Sequence, residues 1–246
     1  MSQKPISIAR ELGLTILRPL TSKKNDVFLV SQKDEKLVLK VYRPQFRKRA
    51  SREWATLEEA FSKGLPVPQP LAYFRDSALL LTYITGENLC DAFNSAPSSA
   101  YVQALARWYS NFHLALARTG GQCVLKGDSI LKNFVLSWKA GNTARPQLYG
   151  VDFEESIVGD PAQDVGEICA SILNTDPMFT EEKTILCQEL VDTYVTLTGY
   201  PHRKKIIQAI AAALHITAQW RPRQRDYLLK QAAAIAAEGL HIHPAT

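Results

Sequence analysis

The stretch Lys126–Leu136, KGDSILKNFVL, followed by Tyr149–Ser156, YGVDFEES, decides how this chain is read. Asp128 precedes Asn133 by five positions, and Asp152 lies nineteen residues beyond Asn133. Between them FVLSW and QLYGVDF have the composition of short strands, joined by the polar turn KAGNTARP, so a hairpin returns Asn133 and Asp152 to one place. The pattern is D-x-x-x-x-N, a hairpin, then D-F-x. One carboxylate beside an acceptor hydroxyl, with an amide and a second carboxylate offering hard oxygens to Mg²⁺, is the set that phosphoryl transfer needs. Asp128 is the candidate base, and Asn133 and Asp152 are the candidate metal positions.

Further toward the amino terminus, VFLV and KLVLKVY flank the polar segment SQKDEK between Asp26 and Tyr42, which reads as a β-hairpin. Lys40 lies in its second strand. A helix follows from about Arg47 to Lys63, with Trp54, Leu57, Ala60 and Phe61 on one apolar face and Gly64, Pro66 and Pro68 as its stop. Glu53, thirteen residues after Lys40, opens that helix, an order that permits an ion pair holding the lysine against nucleotide phosphates. LAYFR and ALLLTYI add two strands around Asp76 and Ser77. Beyond Gly86 the chain turns helical. Leu105, Trp108, Tyr109, Phe112 and Leu116 recur at three- and four-residue steps; Thr180 precedes Glu181 and Glu182 as a cap; Ile206, Ile207, Ile210, Ala213 and Leu214 mark another apolar face. The fold class is α+β, with a small antiparallel sheet and helix over 1–85 and a mainly helical lobe over 86–246.

The 246 residues are 46% hydrophobic, which argues for a folded core. No apolar run approaches the roughly 20 residues of a membrane span, and MSQKPISIAR lacks a signal-peptide core, so a cytoplasmic protein is expected. Cys90, Cys123, Cys169 and Cys187 are too scattered for a zinc site and read as buried thiols. The net charge of +5 is gathered at Arg43, Arg47, Lys48, Arg49 and Arg52 and again at Arg221, Arg223 and Arg225. Either group serves as an anion contact or as a solvated face, and nucleic acid is not the expected partner.

These residues, from Thr15 to Leu173, resemble the aminoglycoside phosphotransferase and choline kinase-like branch of the protein-kinase-like superfamily. VLKVY, REWATLEEAFSKGLPVPQPLAYF, ALLLTYITGENL, KGDSILKNF and GVDFEESIVGDPAQDVGEI carry the likeness. It implies a two-lobed fold with ATP between the lobes and a small hydroxyl-bearing acceptor over the helical lobe. By resemblance, Lys40 is the phosphate-binding lysine with Glu53 as partner. Asp128 is the base, Asn133 and Asp152 hold Mg²⁺, and the Thr82, Tyr83, Ile84 backbone is the adenine hinge. Asp164 braces the catalytic loop, and His113 is a packed, satisfied histidine.

The chain departs from the pattern in three places. LTSKKNDVFLV has no glycine where the family has a glycine-containing turn, so Ser22, Lys23, Lys24 and Asn25 become candidate side-chain donors to phosphate. Lys126 replaces the usual histidine before Gly-Asp, either to bind a transferring phosphate or to face solvent, and Ser129 replaces an apolar residue. Glu154 stands third in D-F-x; with Glu155 and acids in the last helices it is a candidate for an acidic pocket toward an amine-bearing acceptor. The reading is an ATP- and Mg²⁺-dependent transfer to an amino sugar, sugar or amino alcohol. Its alternatives are a pseudokinase or regulatory nucleotide-binding module, or a small atypical kinase acting on protein or lipopolysaccharide sugar.

Overall fold

The structure, a computed structural model, describes residues 3–139 and 142–240. The chain divides into two compact units, one formed by residues up to Thr85 together with Tyr149–Ser156, the other by Gly86–Leu148 and the chain from Ile157 onward.

In the first unit, helix α1 (Gln3–Glu11) leads into strands β1 (Thr15–Leu20), β2 (Asp26–Gln32) and β3 (Glu35–Val41). Helix α2 (Arg47–Ser62) and strands β4 (Pro70–Phe74) and β5 (Ala78–Thr82) complete it. The antiparallel sheet has the order β1-β2-β3-β5-β4. Lys33 and Asp34, the two-residue turn between β2 and β3, take positive φ, the geometry that follows strand twist; in the three-residue β4–β5 turn Arg75 and Asp76 also take positive φ. Strand parity then sorts the side chains. Leu37, Leu39 and Val41 enter a core with Ile8, Ala9, Leu14, Phe28, Val30, Ala78 and Leu80, so Lys40 points to the opposite face. Its register, Lys40 opposite Val27 and Leu79, is held by that core, because a one-residue slip would reverse every side chain.

Helix α2 spans nearly the expected range, but its buried stripe is rotated from the expected one. Ala50, Glu53, Thr56, Leu57 and Ala60 are buried, whereas Phe61 is exposed and Trp54 stacks on Tyr73 at 5.8 Å between ring centroids. A glutamate occupies a core position there because its charge has partners, described below. The helix stops as the sequence predicts: Gly64 has φ 73°, its N–H donates to Phe61 O, and Leu65 N–H donates to Ala60 O, a Schellman closure.

The second unit contains β6 (Glu87–Asn88), α3 (Leu89–Ser95), α4 (Ser99–Ala115), β7 (Cys123–Leu125), β8 (Phe134–Lys139), β9 (Asn142–Gly150) as far as Leu148, and β10 (Ile157–Gly159). Helices α5 (Ala162–Leu173), α6 (Glu181–Thr198), α7 (Arg203–Trp220) and α8 (Arg225–Glu238) follow. Strands β6, β8 and β9 form one small sheet, and β10 pairs with β7. The expected hairpin turn is shorter than KAGNTARP, since β9 begins at Asn142; Ala140 and Gly141 lie outside the described residues. On α4 the five expected core residues are all buried, and Trp108, Tyr109, Phe112 and Phe134 form an aromatic cluster. Thr180 caps α6, accepting from Lys183 N–H at 3.3 Å. Helices α1 and α3 have no counterpart in the expected element order. The four cysteines are buried free thiols. No helix among the described residues is long and apolar enough to cross a membrane.

Candidate active site

In the first unit the side chain of Lys40, 5% exposed, reaches three carboxylates. Its Nζ lies 2.7 Å from Glu53 Oε2, 2.6 Å from Asp152 Oδ1 and 3.0 Å from Glu154 Oε2. Burial alone pushes the ammonium pKa down, but Glu53, Asp152 and Glu154 override it and hold it well above the ordinary lysine value. Burial raises the Glu53 pKa, and Lys40 works against that rise. Glu53 also receives the Tyr42 hydroxyl, and its Oε1 accepts the Phe153 N–H at 3.1 Å. Tyr42 lies two residues beyond Lys40, on the same face, with its ring centroid 5.2 Å from the ammonium. Glu53 thus joins strand β3, helix α2 and the D-F-E segment. Asp152 has φ 62°, a left-handed conformation that is strained for a non-glycine residue and concentrates at functional sites.

The glycine-free turn between β1 and β2 is tied to this cluster by side chains. Asn25, 3% exposed, donates from Nδ2 to Glu154 Oε2, and its backbone N–H donates to Ser22 Oγ at 3.3 Å. Lys24 pairs with Glu155 at 2.6 Å, and Arg49 of α2 pairs with Glu155 and, at 3.4 Å, with Glu154. Glu154 and Glu155 are therefore engaged by Lys24, Asn25, Lys40 and Arg49. This corrects the reading of the two glutamates as a free acidic pocket: both are held by cationic and amide side chains of their own unit. The nearness of the Glu53, Asp152 and Glu154 carboxylates, whose oxygens lie within 4.8 Å of one another, has the same cause, since Lys40 supplies the cation they share.

Thr82 ends β5, its N–H donating to Gln69 O at 3.0 Å and its Oγ1 accepting from Gln69 N–H at 2.8 Å. Tyr83 and Ile84 follow half-buried and make no backbone hydrogen bond among the described residues.

In the second unit the loop between β7 and β8 carries Asp128 and Asn133. Asp128 is exposed, with φ 44°, and follows Gly127 at φ 64°. Asn133 Nδ2 donates to the Asp128 carbonyl at 2.9 Å and to its Oδ2 at 3.1 Å, which fixes the carboxylate and leaves Asn133 Oδ1 as an acceptor. One face of α5 holds the loop's backbone. Asp164, 1% exposed, accepts from Lys126 N–H at 2.6 Å and Gly127 N–H at 3.0 Å; Glu167 accepts from Ser129 N–H at 3.0 Å, and Ser171 Oγ from Leu131 N–H at 3.1 Å. These three residues recur at helical spacing, so one stripe satisfies four loop donors.

Asp164 also accepts from Ser129 Oγ at 2.7 Å and lies 3.0 Å from His113 Nε2, while His113 Nδ1 lies 2.9 Å from the Tyr194 hydroxyl. Burial would raise the Asp164 pKa, but the hydrogen bonds and charge of its partners, His113 first, hold it below the ordinary carboxylate value. Ser129 is thereby explained: an apolar residue there could not reach Asp164. Lys126 is fully buried, its Nζ 3.5 Å from Gly127 O and 5.5 Å from the Phe134 ring centroid, which overturns the solvent-facing alternative.

The first unit thus brings together Lys40, Glu53, Asp152 and Asn25, and the second brings together Asp128 and Asn133. Sequence reasoning passed over Tyr42, Arg49, Glu167 and Ser171. Strand parity with Lys40 was a usable signal for Tyr42, and helical spacing from Asp164 for Glu167 and Ser171; Arg49 had none beyond its place in a basic run.

An antiparallel five-stranded sheet bearing a lysine–glutamate pair, together with a helical unit bearing an aspartate–asparagine loop, defines the protein-kinase-like fold. Residues 16–149 match the model of the phosphotransferase enzyme family, and the chain belongs to that family. As such it is a phosphotransferase. Among solved structures it is similar to a choline/ethanolamine kinase family protein from Mesorhizobium loti, with TM-score 0.65 and 15% identity, covering 91% of this chain and 90% of that one. It is similar to APH(2'')-IIa in its streptomycin–ATP ternary complex, with TM-score 0.64 and 15% identity over 96% and 98% of the two chains. The macrolide 2'-phosphotransferase MphH from Brachybacterium faecium gives TM-score 0.60 and 14% identity over 96% and 98%. Comparison by sequence with the curated proteins gives no match.

Proposed function

We propose that the chain moves the γ-phosphoryl group of ATP to a hydroxyl of a small molecule: an amino sugar, a sugar or an amino alcohol. The observation that carries this reading is the buried Lys40 ammonium held between Glu53 and Asp152. Burying such a group costs stability, and strongly perturbed ionisable groups concentrate where chemistry is done. Relatives named for streptomycin, macrolides and choline or ethanolamine support a small-molecule acceptor.

In this reading Asp128 orients the acceptor hydroxyl and takes its proton, with its carboxylate held by Asn133 Nδ2 at 3.1 Å. Lys40, braced by Glu53 and through it by Tyr42, holds the nucleotide phosphates. Ser22 and Asn25 belong to the turn that meets those phosphates, and the backbone of Thr82, Tyr83 and Ile84 receives adenine. Each residue taken alone offers what magnesium prefers: Asn133 keeps Oδ1 as a hard oxygen, and Asp152 has a carboxylate whose side chain is 39% exposed. When bound by Asn133 and Asp152, the ion supplies neutralisation of phosphate charge. Most of the catalysis is positioning and electrostatics.

The test is calorimetric titration with ATP, with and without Mg²⁺, on the wild type and Asp152→Ala, followed by transfer assays over amino sugars, sugars and amino alcohols. Magnesium-dependent binding that the variant loses is expected. Asp128→Ala should keep nucleotide binding and lose turnover by about 10²–10⁴-fold. Absence of binding at millimolar nucleotide, or full turnover in Asp128→Ala, would overturn the reading.

A further inference from the structure

Resting on the reading of Lys40 as the phosphate-binding lysine, we propose that Glu154 is a built-in anion occupying the phosphate-binding cations, which nucleotide must displace. Four donors from three separate segments converge on its carboxylate, whose side chain is 6% exposed. Lys40 Nζ of β3 lies 3.0 Å from Oε2, which also accepts from Asn25 Nδ2 of the β1–β2 turn. Arg49 Nη1 of α2 lies 3.4 Å from Oε1, and Lys24 Nζ lies 3.8 Å from the same oxygen. Two ammoniums, a guanidinium and a side-chain amide around one pair of oxygens is the donor set expected for a phosphate group.

Neutralising Lys40 does not account for Glu154. Glu53 and Asp152 already contact that ammonium, at 2.7 and 2.6 Å. With Glu154 and Glu155 present, the three cations Lys24, Lys40 and Arg49 face four carboxylates, an excess of negative charge that opposes an incoming polyphosphate. The β1–β2 turn shows the same substitution of roles. Without glycine it cannot bring bare backbone N–H groups close to a phosphate, so its grip lies in Lys24 and Asn25, and both are directed at Glu154 and Glu155. A phosphate taking the place of the Glu154 carboxylate meets donors already gathered. The affinity for nucleotide is therefore the difference between two anions on one set of cations, and Glu154 sets it.

Glu154→Gln tests this, because it removes the charge while keeping the size and an oxygen for Asn25. Binding of ATP, inorganic tripolyphosphate and adenosine is measured by calorimetry with Mg²⁺, alongside thermal unfolding. ATP and tripolyphosphate should bind at least roughly tenfold more tightly to the variant, while adenosine, which has no phosphate to compete, should bind unchanged. A purely structural tether would give weaker binding and a lower melting temperature. Unchanged or weaker ATP binding in a variant that melts like the wild type would overturn the proposal alone; absence of nucleotide binding in both proteins would overturn the phosphotransferase reading and the proposal with it. Should Glu154→Gln not fold, Glu154→Asp, whose shorter carboxylate reaches fewer of the four donors, should gain affinity by a smaller step, and no gain there would refute the idea.

Discussion

Removing the Asp164 carboxylate should dismantle the loop that carries Asp128. The side chain is 1% exposed and accepts from the Lys126 and Gly127 N–H groups and the Ser129 hydroxyl, with His113 at 3.0 Å. In Asp164→Ala these groups lose their acceptor in a buried place, at about 1–3 kcal/mol for each one left unsatisfied. Local relaxation and water entry limit the sum, so about 4 kcal/mol is expected, in line with breaking a buried charged network. That is a large share of the roughly 5–15 kcal/mol that holds an ordinary domain folded. Asp164→Asn should rescue little, since its NH₂ would face either the Lys126 or the Gly127 N–H, donor against donor. Urea unfolding followed by circular dichroism at neutral pH measures the loss. If Asp164→Ala cost less than about 1 kcal/mol, α5 would not be what holds the loop.

Tyr42→Phe keeps the ring beside Lys40 but removes the hydroxyl from Glu53; a stability loss of about 1–2 kcal/mol and a raised KM for ATP are expected, read by melting curves and steady-state kinetics. Gly166→Ala places a Cβ 2.5 Å from the Ala209 side chain and 2.6 Å from its backbone carbon, so α5 and α7 must part; about 1–3 kcal/mol should be lost in the same urea assay. The depressed pKa of Asp164 gives a pH signature. A carboxylate whose folded pKa lies below its unfolded one contributes stability that is complete above about pH 4 and is lost as pH falls through the folded value. Wild-type stability should therefore fall more steeply than that of Asp164→Ala as pH is lowered through that window, and parallel curves would show that the Asp164 pKa is not depressed.

Element types around the site, and the order of its polar residues, are legible in the amino-acid sequence. β-rich composition placed Lys40 on a strand, three- and four-residue steps from Leu105 to Leu116 marked a buried helix, and Thr180 announced a cap that forms. These readings succeed because period and capping are local properties. The buried face of α2 departs from the apolar pattern for the complementary reason: the order of Lys40 and Glu53 points to their pairing, but that the pair, with Tyr42, lies deep enough to bury Glu53 while Phe61 faces water is a tertiary property. Likewise, Lys126 reads as a phosphate contact or a surface residue until the Phe134 ring beside it is known. Glu154 and Glu155 look free until Lys24, Asn25 and Arg49, more than a hundred residues distant in sequence, are found against them. Tertiary structure decided which charges neutralise which, because the cost of burying an ion depends on groups that no local pattern of residues specifies.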